Sequence, residues 1–144
     1  MKRSLPIFAA LALAACASIP SAPTPTADHI VIVRRFVDAF NRKDVDGMAA
    51  LITADAQWLS IDADKIKVEA ENRAAIRANM TTYFQSCPNC TSQVTQITTT
   101  PNRVSTVEIA SWQTPTGQKS QTGFAVYEFD GNLIKRVLYF PEER

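Results

Sequence analysis

The chain has 144 residues, 15 of them basic and 14 acidic, a net charge of +1, and 46% hydrophobic side chains. That length suits one domain with an appendage. A charge so evenly balanced leaves no basic stripe for nucleic acid and no acidic block for a solvated tail.

Lys2 and Arg3 open the chain, and residues 5–15 form an apolar run interrupted only by Pro6. The run is too short to span a bilayer and fits the apolar region of a secretory signal. It ends in the small pair Ala14-Ala15 and then Cys16. This order resembles the bacterial lipoprotein signal. The resemblance implies that residues 1–15 are removed and that Cys16 is lipidated and becomes the first residue of the mature protein. Several acyl chains anchor a protein stably where one holds it only marginally. Ala17 stands where a retained inner-membrane lipoprotein commonly has aspartate, so the expected destination is the outer membrane, facing the periplasm. Residues 16–27 then form the lipidated cysteine and a tether whose prolines, Pro20, Pro23 and Pro25, favour an extended spacer. The folded domain is expected over residues 28–144.

Over residues 29–41, Ile30, Val33, Val37 and Phe40 recur at helical spacing, with Arg34, Arg35 and Asp38 mainly between them. Asp28 is placed to cap this helix, and Asp44 to cap a short second one over residues 45–52. Residues 56–61 have β character, and a polar stretch follows them. Residues 72–85 predict a third helix, with Ile76, Met80, Tyr83 and Phe84 on one side and Pro88 as its stop. Four strands are expected next, over residues 91–100, 103–114, 119–129 and 133–140. Their separators are turn-prone: Pro101-Asn102, Pro115-Thr116-Gly117 and Asp130-Gly131-Asn132. Helices first and a strand meander last predict an α+β domain with helices on one face of a curved antiparallel sheet.

The segment Val33-Arg34-Arg35-Phe36-Val37-Asp38-Ala39-Phe40-Asn41, then Asp44-Val45-Asp46-Gly47-Met48 and Leu51, resembles the opening of nuclear transport factor 2-like domains. The most similar subgroup is the polyketide-cyclase-like (SnoaL-like) one. Ala54-Asp55-Ala56-Gln57-Trp58 continues the pattern, as does the ending from Phe124 to Ile134. The resemblance implies a cone, with three N-terminal helices packed on a curved, mainly antiparallel sheet around an apolar pocket. That fold hosts isomerases, cyclases, dehydratases and non-catalytic binders, so it does not specify a function. Ketosteroid-isomerase relatives use a tyrosine, a carboxylate base and a protonated aspartic acid. Those positions fall at Phe36, at Ser60, and at Ala125 or its neighbour Val126. None carries the required group, so this isomerisation is not expected.

Phe36, Trp58, Ser60, Trp112, Ala125, Tyr127 and Arg136 are the expected pocket lining. Asp62 shares the face of Ser60 if its strand extends that far, which makes it the candidate general base. The competing expectation places Asp62 and Asp64 in a solvated loop. Glu108 alternates with Val107 and Ile109 and is expected to face solvent. A one-residue slip would move any of these to the opposite face. His29, the only histidine, lies at a helix start and carries no expected catalytic role. With so few ligands, neither a metal nor a cofactor is expected. Cys87-Pro88-Asn89-Cys90 follows a helix end, whereas a redox pair begins at a helix N-terminus. In an oxidising compartment a local disulfide is the expected outcome.

The expected partners are a small, largely apolar ligand, a membrane reached through the lipid anchor, and a second copy of the chain. Three classes of function follow. The expected one is a non-catalytic binder. The others are a cyclase- or dehydratase-like enzyme using a pocket carboxylate, and a structural dimer in an envelope assembly. A buried carboxylate in the cone favours the enzyme, an uncharged apolar pocket the binder, and a filled cone the assembly.

Overall fold

The computed structural model describes residues 27–142. The proposed signal, Cys16 and nearly all of the tether lie outside the described residues. Helix α1 (Ala27–Asn41) buries Ile32, Val33, Phe36, Val37 and Ala39 against the sheet. It begins before Asp28, so that this residue stands in its first turn, where a negative charge favours the free N–H end. Asp44 caps α2 (Val45–Ala49), its side chain accepting a hydrogen bond from the Gly47 N–H at 2.7 Å. This helix is shorter than expected because Ile52 already opens a strand.

That strand, β1 (Ile52–Asp62), turns back through Ala63 into β2 (Lys65–Ala70). The polar stretch of the sequence is therefore an edge strand, and its lysines suit an edge that must not pair with another chain. Helix α3 (Arg73–Ser86) is capped by the Asn72 side chain, which accepts from the Ala75 N–H at 2.8 Å. The meander follows as β3 (Thr91–Thr100), β4 (Arg103–Thr114), β5 (Gly117–Asp130) and β6 (Leu133–Phe140). The strand order is β2-β1-β6-β5-β4-β3. All neighbours are antiparallel except β1 and β6, which run parallel with Trp58 beside Val137. The architecture is α+β, with helices on a mixed, mostly antiparallel sheet.

Alternation divides the sheet into two faces. Val104, Thr106, Ala125, Tyr127, Ile134 and Val137 point to the helices and are buried. His29 fixes the start of α1 to the β5–β6 turn. Its Nε2 lies 2.9 Å from the Gly131 carbonyl, and its ring stacks on Phe129 at 4.0 Å. The sole histidine therefore acts as a staple between the first helix and the meander. Among the described residues no helix is long and apolar enough to cross a membrane.

Candidate functional site

The helices cover only part of the inner sheet face, and a cavity of about 620 Å³ remains between them. Phe36, Val37 and Phe40 of α1 and Ile76, Met80 and Tyr83 of α3 form one side. Trp58 and Ser60 of β1, Trp112 of β4, Tyr127 of β5 and Tyr139 of β6 form the other. The rings pack against one another: Phe36 meets Tyr127 edge-on at 6.0 Å and lies 6.2 Å from Trp58. Cys87 and Cys90 border the cavity and stand at disulfide distance, with Cα atoms 5.4 Å apart. Lys43 binds the Cys90 carbonyl, which holds this corner to the end of α1.

At the floor of this apolar space lies a carboxylate. Glu108 is 7% exposed, and its side chain borders the cavity. Three hydroxyls from three strands donate to it. Tyr127 Oη and Thr106 Oγ1 each reach Oε1 at 2.7 Å, and Ser92 Oγ reaches Oε2 at 2.8 Å. Asn41 fixes the Ser92 backbone in turn, donating to its carbonyl at 2.9 Å and accepting from its N–H at 2.8 Å. Burial, and then the Glu108 charge and hydrogen bond, hold the Tyr127 phenol well above the ordinary value of 10.0. Burial first, then Glu108 and Tyr83, raise Tyr139 as well. Both phenols are thus neutral hydroxyl groups near neutral pH. An oriented carboxylate with phenols beside it can accept a proton, or bind a cation or hydrogen-bond donor, inside an otherwise apolar space.

Five of the residues expected in the lining meet at the cavity: Phe36, Trp58, Ser60, Trp112 and Tyr127. Three expectations need correction. Ala125 faces inward and is 1% exposed, but its single methyl is enclosed in the core and does not reach the cavity. Arg136 points to the opposite face, because Val137 takes the inward position. There Arg136 donates to Glu128 at 2.6 Å and to Gln57 at 3.2 Å. Asp62 ends β1 in the hairpin, exposed and outside the cavity, so it cannot serve as the base of this site.

Glu108 is the cavity residue that the strand reading turned the wrong way. The signal was present in the sequence. If Trp112 of a regular strand faces the pocket, then Ala110 and Glu108 share its face. The apolar neighbours Val107 and Ile109 masked this, because they occupy an outer face that is also apolar. Among the described residues, no group of three or more His, Cys, Asp and Glu could hold a metal ion.

The SnoaL-like domain family model matches residues 33–137. The chain belongs to the SnoaL-like domain family. No curated protein matches it. Solved structures similar to this SnoaL-like domain include an uncharacterized cystatin fold protein from Novosphingobium aromaticivorans. It is 20% identical, with a TM-score of 0.68 over 77% of this chain and 96% of that one. A nuclear transport factor 2-like protein of unknown function from Burkholderia pseudomallei is 12% identical. Its TM-score is 0.69 over 81% and 92% of the two chains. A hypothetical protein with a ketosteroid isomerase-like fold from Catenulispora acidiphila, in complex with trimethylamine, is also 12% identical. Its TM-score is 0.65 over 75% and 82%. At these identities the likeness establishes the shared nuclear transport factor 2-like fold.

Tyr127→Phe removes one of the three donors to Glu108. Hydrogen bonds to a charged group contribute roughly 1.5–3 kcal/mol, so urea unfolding at neutral pH should show a loss of that order. The wild-type bond should also make stability depend on alkaline pH. A phenol whose folded-state value is raised contributes stability that is complete below about pH 10 and lost as pH rises beyond it. The unfolded chain releases that proton first. The variant should therefore lose less stability than the parent over the alkaline range, and equal slopes together with equal neutral stability would remove the bond.

Proposed function

We propose that this protein is a lipid-anchored, periplasm-facing binding protein whose cone holds one small, largely apolar molecule, with Glu108 engaging its polar end. The observation that carries the reading is the open, aromatic-walled cavity of about 620 Å³ with a single buried acid at its floor. Cavities of this size and lining are the usual sites of small molecules. The trimethylamine held by the Catenulispora acidiphila protein of similar fold supports a small-molecule role. The neutral bicyclic ketone 1-indanone is a suitable first probe. Isothermal titration should show binding with a negative heat-capacity change. Ala110→Trp, which narrows the cavity at a lining position, should weaken that binding while circular dichroism stays native. Unchanged affinity in that variant would place the ligand elsewhere.

Glu108 also favours a second reading, an enzyme of the cyclase or dehydratase type in which this carboxylate takes a proton from carbon beside a carbonyl. The same titration run in deuterium oxide separates the two readings. Deuterium entering 1-indanone faster than in buffer alone, and no faster than buffer with Glu108→Gln, means catalysis. Exchange at the buffer rate leaves a binder.

The anchor rests on the order of charge, apolar run, small residues and Cys16. Cys16→Ser should abolish metabolic labelling by a fatty acid and leave the protein unprocessed or soluble; equal label in both forms would refute a lipoprotein.

A second copy of the chain is the proposed partner for the outer sheet face. Leu59, Ile61, Val107, Val126 and Leu138 alternate onto that face, and Phe124, 41% exposed, packs on Phe140 at 5.6 Å. A continuous apolar face of this kind marks an interaction surface. Phe124→Lys should shift sedimentation from dimer to monomer, and a wild-type chain that sediments as a monomer at micromolar concentration would remove the dimer.

A further inference from the structure

We infer that the ligand of this cone carries a positive charge, an ammonium group set between aromatic rings and the Glu108 carboxylate. The inference rests on the binding reading above and specifies its ligand class. Its basis is an imbalance of charge. Glu108 is buried, yet all three of its hydrogen-bond partners are neutral hydroxyls, and no Lys, Arg or His among the described residues forms an ion pair with it. A buried charge without a counter-ion is unfavourable even when it is well hydrogen-bonded. A carboxylate offers about four acceptor positions. Three are filled, two of them on Oε1, so the open one is on Oε2, and the side chain borders the cavity.

The rest of the lining has the same bias. No basic residue contributes to it, and its second acid, Glu69, is paired with Lys67 at 2.8 Å. The cationic Lys43 is directed to the Cys90 carbonyl and sits over the rings of Phe40 and Phe84, 5.1 Å from each centroid. The remaining walls present Phe36, Trp58, Tyr83, Trp112 and Tyr139. Aromatic faces attract cations through their quadrupole, most strongly where water is excluded. An anionic ligand would meet the uncompensated carboxylate in a medium of low dielectric, and like charges repel most there. A neutral ligand would gain only from burial. An organic ammonium gains from burial, from the rings and from Glu108 together.

Both tryptophans of the chain line the cavity, so intrinsic fluorescence reports occupancy directly. The probes are 2-phenylethylammonium and 2-phenylethanol, which share a skeleton and differ in charge at neutral pH. With the full-length chain, the ammonium should bind at least about tenfold more tightly than the alcohol, as a charge-assisted hydrogen bond plus cation–π contact requires. Glu108→Gln should abolish that preference by weakening the ammonium while leaving the alcohol nearly unchanged. If Glu108→Gln does not fold, the two probes on the unaltered chain decide the question alone. Alcohol binding as tight as ammonium binding would overturn the inference and leave the cone a ligand site. Failure of both probes and of 1-indanone to bind would overturn the binding reading as well.

Discussion

A carboxylate inside an apolar cone is tolerated only if its oxygens are hydrogen-bonded, and here that requirement ties together three strands and a helix. The donors to Glu108 come from Ser92 on β3, Thr106 on its own strand β4 and Tyr127 on β5. They converge only in the observed register, with Ser92 beside Ala110, Val94 beside Glu108 and Tyr127 opposite Val104. A slip of one residue would turn Glu108 or its donors to the outer face. Gly123 stands opposite Glu108, and an alanine methyl there would overlap the Tyr139 hydroxyl. The missing side chain on β5 is what lets that tyrosine approach. Asn41 grips the Ser92 backbone, so the polar centre also fixes where α1 sits over the sheet.

Most of the remaining architecture follows from a sheet that is apolar on both sides. The inner face has its helices and encloses the cavity. The outer face has the polar cluster of Arg103, Glu128, Arg136 and Gln57 at one end, Lys135 bonded to Asp55 at 3.3 Å, and glutamines and threonines along β3. Between these polar groups the strands β1, β4, β5 and β6 carry an apolar band of Leu59, Ile61, Val107, Ile109, Phe124, Val126, Leu138 and Phe140. Inserting β6 between β1 and β5 joins the first hairpin to the meander into one continuous sheet, and the Ile134 N–H begins that junction on the Leu51 carbonyl at 2.9 Å. Ile134, with no exposed surface, fills the space beneath.

The same two-sidedness explains what the sequence disclosed and what it concealed. The last four strands were legible nearly to the residue, since proline, glycine and asparagine marked each turn. The cap at Asp44 announced its helix, whereas Asn72, read as the first residue of the third helix, is its cap. Strand β2 was hidden because its lysines and glutamate read as loop, and an edge strand is where such residues belong. Which side each strand turned inward was harder to read. Apolar residues on both faces erase the contrast that normally tells inside from outside, and so Val107 and Ile109 seemed the buried pair and Glu108 the exposed one. Arg136 was misplaced for the same reason, half a period from Val137. Ala125 was given the correct face, but side-chain length, which alternation does not report, kept it from the cavity.

Within the cavity the polar group has a distinct location. Ser60, the expected counterpart of the base in isomerases of this fold, lines the cavity without a carboxylate. The acid lies instead on β4, separated from β1 in the sheet order by β6 and β5. A ligand of the proposed kind would therefore direct its polar end towards the β3–β5 side and lay its apolar body against Trp58 and the helices. On the proposed reading this orientation follows from where charge and rings are placed, for a binder and for an enzyme alike. Fold alone would predict a ligand anchored at the first long strand. The side chains of this chain place the buried acid on β4 instead, under the hydroxyls of Ser92, Thr106 and Tyr127.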